Sequence, residues 1–373
     1  MHNIGFGLYL YNPFFNNDKL IVRGKSISER RAGGILTNDY YKNPFTDGTE
    51  SILTKRYEAE LAYSKPLFDN SELKFNTTYI NHNREATNDS YLNDYMNTHN
   101  GEAPNVLDMR PYVARENSVV STLTMGTKWG NNNILVGLQH YLTKLNETGM
   151  YTVVDNTSSY YRESYKSIAY KHANEFGAFI QDEWIVNTRL TMVPGIRIDH
   201  HTSGEEYTSD KKVFDSDFPK TSFKQTSINP RIALKYNLNK NITLRANAGT
   251  GFRAPYGFSE DLHLCSGSPR VWKSSDLKAE TSRSGNFSAD YYGNHIQVNA
   301  NFFYTYLKNK IDFSDADNDV KTLGYTYQWR NVDDAVVKGM EFAVLVNPVR
   351  NLNLGADFTL NDGKYNHSRA DWK

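Results

Sequence analysis

Apolar and polar positions alternate along most of this chain. In residues 242–252, Ile242, Leu244, Ala246, Ala248, Thr250 and Phe252 fall on one set of positions. Thr243, Arg245, Asn247, Gly249 and Gly251 fall on the other. A period of two marks a strand with unlike faces. The pattern recurs at 73–79, 134–142, 190–198, 296–306 and 352–360. In 352–360, Leu352, Leu354, Ala356, Phe358 and Leu360 oppose Asn353, Gly355, Asp357 and Thr359. The polar face carries charges, amides and glycines, which a watery lumen tolerates and an apolar core does not.

The connections alternate too. Short turns are expected at 68–72, 130–133, 187–188, 238–241, 293–294 and 347–351. Long polar connections are expected at roughly 81–116, 144–171, 201–226, 253–280 and 309–325. Connections this long are uncommon in compact domains. Alternating with tight turns, they describe antiparallel strands crossing a membrane, about 14 in all. The fold class expected is all-β, a transmembrane antiparallel β-barrel. Period-two alternation alone would equally describe a soluble all-β ligand-binding module, and the rhythm of short and long connections favours the barrel.

Composition narrows the classes. The 373 residues carry 42 basic and 42 acidic side chains, a formal net charge of zero, which speaks against a nucleic-acid partner. Mean hydropathy is −0.65, and no run approaches the roughly 18 apolar residues of a membrane helix. A membrane strand needs only about 9–11 residues, with alternate ones facing lipid. Aromatics make up 13%, with 26 tyrosines and 19 phenylalanines, which suits interfacial girdles. The single cysteine, Cys265, excludes an internal disulfide and a cysteine-based metal site. The first residues, MHNIGFGLYL, do not read as a secretory signal.

No catalytic constellation or cofactor site is expected. Gly249 to Phe252 lack the lysine and helix start of a phosphate loop, and no nucleophile elbow or zinc spacing occurs. The acidic stretches 203–212 and 315–320 read as solvated loops; the second lacks the glycine and final glutamate of a calcium loop. His200 and His201 are expected where a strand runs into an outer loop, a place suited to a metal chelate, with a solvated strand end as the plainer reading. Tyr91, Tyr95, Tyr160, Tyr161, Tyr256 and Trp272 fall in expected outer loops, where rigid aromatics suit either ligand capture or loop packing. Arg197, Arg245 and Arg253 fall on the polar, lumen-facing positions.

Residues 244–282 resemble the TonB-dependent outer-membrane receptors. The resemblance lies in Gly251, Phe252, Arg253, Ala254 and Pro255, then a long loop, then Leu277, Lys278, Ala279 and Glu280, with alanine in place of the usual proline. Asn331, Ala335, Gly339 and Glu341 continue the family pattern, and 177–184 and 188–199 resemble two neighbouring family strands. The style is that of Bacteroides-type receptors for chelated metals. The resemblance implies import of a scarce, bulky nutrient (a siderophore, haem or cobalamin) through the outer membrane of a Gram-negative bacterium. It implies no enzyme activity, with outer-membrane lipid and the TonB energy-coupling complex as partners. A passive porin is the alternative within membranes. On the family's barrel of roughly 22 strands, the chain is expected to be an internal piece. The plug that contacts TonB, about four strands before residue 1 and about four after Lys373 would then lie outside it.

Overall fold

A computed structural model describes residues 1–33, 50–88, 100–101, 112–152, 159, 164–209, 219–256, 271–323 and 327–367. The strands are β1 (His2–Tyr11), β2 (Lys19–Gly33), β3 (Glu50–Phe68), β4 (Ser71–Asn88), β5 (Tyr112–Trp129), β6 (Asn132–Thr152) and β7 (Ser164–Ile185). They continue with β8 (Leu190–Ser209), β9 (Thr221–Asn237), β10 (Ile242–Arg253), the short β11 (Val271–Lys273), β12 (Glu280–Tyr292), β13 (Ile296–Asp315), β14 (Tyr327–Val349) and β15 (Leu352–Tyr365). Among the described residues there is one short helix, α1 (Asn318–Thr322), before β14. Among those residues no helix is long and apolar enough to cross a membrane, which says nothing about strands.

All strands but β11 form one antiparallel meander, each paired with its neighbours in chain order. β11 lies outside this path and pairs in parallel with the outer tip of β14. Among the described residues β1 and β15 are the two ends of the meander. The tight turns fall where the sequence places them. β3 and β4 are separated by two residues, as are β5 and β6, where Gly130 takes a φ of 58° that a side chain would resist. The connection between β1 and β2, residues 12–18, was not anticipated; Asn12 and Asn17 hold it with positive φ.

The pairing carries the face alternation unbroken from edge to edge. Phe358 faces Phe342, which faces Ala300; Phe302 faces Phe287, which faces Ala246 and through it Leu234 and Met192. The same face continues through Ile180, Val136, Met125, Leu73 and on to Val22 and Leu8. Leu354, Phe302, Phe358, Ile228 and Phe176 stand exposed on it. Exposed apolar area of this extent has no place in water, and a bilayer is the medium that covers it. Arg245, Asn299 and Asp357 lie together on the opposite face.

The expected long loops are the main correction. Strands reach 22 residues in β7 and 23 in β14, about twice what a bilayer needs. Residues 81–88, 112–116, 144–152, 164–171, 201–209, 221–226 and 309–315 are strand, not loop. Their polarity is explained by position. Beyond the bilayer both faces of a hairpin meet water or polar neighbours, so the apolar stripe ends while the ladder continues. In these extensions the polar face becomes the enclosed one. Thr143, Leu145 and Glu147 are buried, while Lys144 and Asn146 between them are exposed. The small apolar core sits here, in Ala86, Tyr112, Ala114, Leu145, Ala169 and Tyr207.

Candidate functional site: the enclosed face and its outer mouth

At the upper edge of the apolar belt, the enclosed face carries a charge network on β6–β8. Arg197 donates from Nε to Asp199 (2.9 Å) and from Nη2 to Gln139 (3.0 Å), and its guanidinium lies over the Phe179 ring. Gly177 on β7 permits this, because a Cβ there would collide with Arg197 Nη2 and Asp199 Oδ1. Further round the wall Arg245 pairs directly with Asp290, and Asn301 donates to Glu341 (3.0 Å).

Above that network the extensions hold two ion pairs shielded from water. Lys171 Nζ lies 2.6 Å from Glu147, and neither side chain is exposed. Lys273 Nζ lies 2.8 Å from Glu205, equally enclosed. Tyr112 donates to Glu147 (2.7 Å) and Tyr207 to Glu205 (2.9 Å). Lys171 sits over the Tyr207 ring and Lys273 over the Tyr256 ring. Charges this deep persist only when paired and hydrogen-bonded, and both pairs meet that condition.

The segment between β10 and β12 spans the mouth. Its β11 joins the tip of β14, while Lys273 of that strand reaches Glu205 on β8. Tyr256 fastens the inner side: its hydroxyl donates to Ser274 O (2.6 Å) and accepts from Leu277 N (3.1 Å), and burial pushes its pKa up to about 12. Asn331 fastens the return. It accepts from Lys278 N (2.8 Å) and donates to Lys278 O (3.0 Å) and Asn309 O (2.8 Å). Asn309, with a φ of 55°, sits at the bulge where β13 shifts register, and its amide donates to Asp334 (2.8 Å). The Asn331 and Leu277–Glu280 positions thus belong to one fastening.

The sequence candidates separate as follows. His200 and His201 lie inside β8, not at its end, and face opposite sides. They cannot act as a pair. His200 is exposed beside Thr226 on the lipid side. His201 is buried on the enclosed side, with Nδ1 3.1 Å from Glu175 Oε2 and its ring beside Phe223 and Phe252. A carboxylate only accepts, so a neutral His201 carries its hydrogen on Nδ1 and turns a lone pair outward from Nε2. Among the described residues that Nε2 has no hydrogen-bond partner, nor do the buried hydroxyls of Ser203 on the same strand and Thr221 on β9. Arg197 and Arg245 lie on the enclosed face; Arg253 ends β10 opposite Glu280. Trp272 is half-buried in β11, and Tyr256 is packed rather than presented. Tyr91, Tyr95, Tyr160, Tyr161 and Cys265 lie outside the described residues. Sequence reasoning missed Glu147, Lys171, Glu205 and Lys273, all of which it placed in loops. Continued period-two spacing in 143–149 was the available signal.

An amphipathic antiparallel wall with turns at one end and long extensions at the other defines an outer-membrane-type β-barrel protein. Residues 2–373 match the family described as TonB dependent receptor-like, beta-barrel, and the chain belongs to that family. It is 23% identical over 235 residues to the ferrienterobactin receptor of Escherichia coli (strain K12), covering 60% of this chain and 28% of that receptor. It is 26% identical over 204 residues to the iron-regulated outer membrane virulence protein of Vibrio cholerae (strain El Tor Inaba N16961), covering 52% and 27%. The chain therefore spans under a third of these curated relatives. In structure it is similar to the copper transporter OprC, with a TM-score of 0.69 and 16% identity over 97% of this chain and 53% of that one. A siderophore receptor from Acinetobacter baumannii gives 0.67 and 11%, over 99% and 58%. At these identities the two structures speak for the fold alone.

Proposed function

We propose that the chain is wall from a TonB-dependent receptor in the outer membrane of a Gram-negative bacterium, and that the whole protein binds and imports an iron chelate. One observation carries the reading. The exposed apolar face runs unbroken across every strand of the meander, and the opposite face gathers charge toward an enclosed outer mouth. Such a wall does no covalent chemistry; it selects and contains. Relatives named for ferric enterobactin or iron regulation favour an iron chelate over cobalamin. The finer assignment to a Bacteroides-type receptor rests on the sequence resemblance; the relatives named above come from Escherichia and Vibrio. Coupling to TonB belongs to a plug outside this chain, and the strands that complete the barrel lie beyond β1 and β15 in this reading.

On this reading, His201, Arg197 and the segment carrying Tyr256 and Trp272 line the ligand's route. Arg253, Tyr91, Tyr95, Tyr160 and Tyr161 are proposed to approach the ligand from the outer side. The test is uptake of a panel of iron-loaded chelates by cells expressing the complete gene, with and without TonB. TonB-dependent import of an iron chelate is expected. Import indifferent to TonB would indicate a passive porin, and recovery in the soluble fraction a soluble binding module.

A further inference from the structure

The lipid-side face of β3–β9 changes character just above the apolar belt. Tyr57, Tyr79, Phe176 and Ile228 form the belt's exposed outer fringe. One or two positions further out on the same face come Lys55, Arg115, Lys144, His172 and Lys224, all exposed. The pairing groups them. Lys144 stands between Asn117 and His172; Asn83 stands between Lys55 and Arg115; Lys224 faces Thr202. Arg115 is two residues past Asn117, so it lies diagonal to Lys144, about 7–8 Å away between side-chain bases. None of the five basic residues has a hydrogen-bond or ion-pair partner among the described residues.

The contrast with the enclosed face is sharp. There Arg23, Arg197, Lys171 and Lys273 each meet a carboxylate. On the lipid side of these strands, the carboxylates above the belt are Glu85 and Glu206, both further out, and Glu206 is already held by Lys220 at 3.1 Å. Unpaired cations gathered on one face against this pattern call for a partner from outside the chain. Between the cations stands an amide ladder that is rigid in itself. Asn117 Oδ1 accepts from Tyr79 and Asn81 (2.8 Å each), and Asn83 donates to Asn81 (2.8 Å).

We propose that this row binds the phosphate groups of a phosphorylated lipid headgroup in the outer leaflet. Height decides the class of partner. Side chains immediately above lipid-facing aromatics lie at headgroup level, where lysine and arginine attract anionic lipid. The interleaved amides suit the hydroxyls of a polar headgroup. The proposal rests on the membrane-wall reading and not on which chelate is carried.

The experiment uses the full-length protein in nanodiscs and native mass spectrometry. The probes are bisphosphorylated lipid A, its dephosphorylated form and phosphatidylcholine, with inorganic phosphate as competitor. Bisphosphorylated lipid A is expected to be retained over the other two. The triple variant Arg115→Gln/Lys144→Gln/Lys224→Gln should weaken that retention on the order of a hundredfold, near fivefold per cation lost. Lys235→Gln, which removes an exposed lysine on the enclosed face, should leave it unchanged. Equal retention of phosphorylated and dephosphorylated lipid, loss in the Lys235 variant, or displacement by inorganic phosphate alone would overturn the proposal. A heat-resistant monomer in both variants confirms folding. Chelate uptake by the same cells reports separately on transport.

Discussion

Replacing Phe302 by arginine, and separately its neighbour Asn301, tests the two faces at one height in the wall. Both lie mid-way along the bilayer stretch of β13, one residue apart, on opposite sides. Phe302 faces Phe287 on β12 and Met340 on β14 and stands 51% exposed on the apolar side. A cation placed at mid-bilayer on the lipid face costs about 2–4 kcal/mol. The expected cost of Phe302→Arg is therefore about 2–4 kcal/mol, roughly one and a half to three orders of magnitude in the folding equilibrium. Asn301 instead donates to Glu341 (3.0 Å) on the enclosed side. An arginine there meets a carboxylate, and the change should stay within about 0.5 kcal/mol. The assay is denaturant unfolding of the full-length protein in phospholipid vesicles, followed by tryptophan fluorescence. Equal losses at the two positions, or a larger loss at 301, would refute the assignment of faces.

Lys171→Met alone should cost about 3–5 kcal/mol by leaving Glu147 buried without its counter-charge, and adding Glu147→Gln should recover most of it; a double-mutant cycle in the same unfolding assay reads the coupling. Asp334 accepts from the Tyr306 hydroxyl and the Asn309 amide, which together hold its pKa below the ordinary 3.8. A carboxylate lowered on folding stabilises fully above its unfolded pKa and is lost as pH falls through the lower, folded value. Protection of the Asn309 amide from hydrogen exchange should therefore survive to below pH 3.8 and fail at higher pH in Tyr306→Phe. Asn331→Ala removes the three bonds fastening residues 278 and 309, so protease should cut near 271–280 while the wall stays heat-resistant. These 373 residues expressed alone should aggregate, since β1 and β15 leave unpaired backbone at several kcal/mol per group in lipid; a heat-resistant monomer in detergent would contradict this.

Alternation made the bilayer stretch legible. Ile242 to Phe252, Ile296 to Tyr306 and Leu352 to Leu360 could be assigned to strands, and each face named, because lipid demands apolar groups on every second residue. Turns such as Gly130–Asn131 were legible through their chemistry. The extensions were not, since residues 144–152 and 201–209 lose the apolar stripe once lipid no longer imposes it. That is also why His200 and His201 read as a pair at a strand end. In a continuing strand they are separated by the sheet itself. The fastening of Tyr256 and Asn331 was hidden for another reason: their partners, Ser274, Leu277 and Lys278, lie tens of residues away in the chain.

The loss of the stripe raises a physical question: what holds register above the membrane? A one-residue slip turns every side chain to the other face, and in lipid that is forbidden by the belt. In the extensions the outward face is polar, and the apolar groups that resist slippage are the few of the small enclosed core, Ala86, Tyr112, Ala114, Leu145, Ala169 and Tyr207. The buried pairs add to that constraint. Lys171 faces Glu205 directly across β7 and β8 and is bonded diagonally to Glu147 on β6. Slipping β7 by one position would carry Lys171 to the lipid side and take its charge from Glu147 in the enclosed layer, while Glu205 keeps Lys273. Each stranded charge costs more than the pair contributes when intact, so the pairs act against the wrong register more than in favour of the right one. Lys273 then ties the mouth-spanning segment to the same layer through Glu205. The segment's position over the mouth is therefore set by charges on β6–β8, well away from β10 and β12, which carry it in the chain.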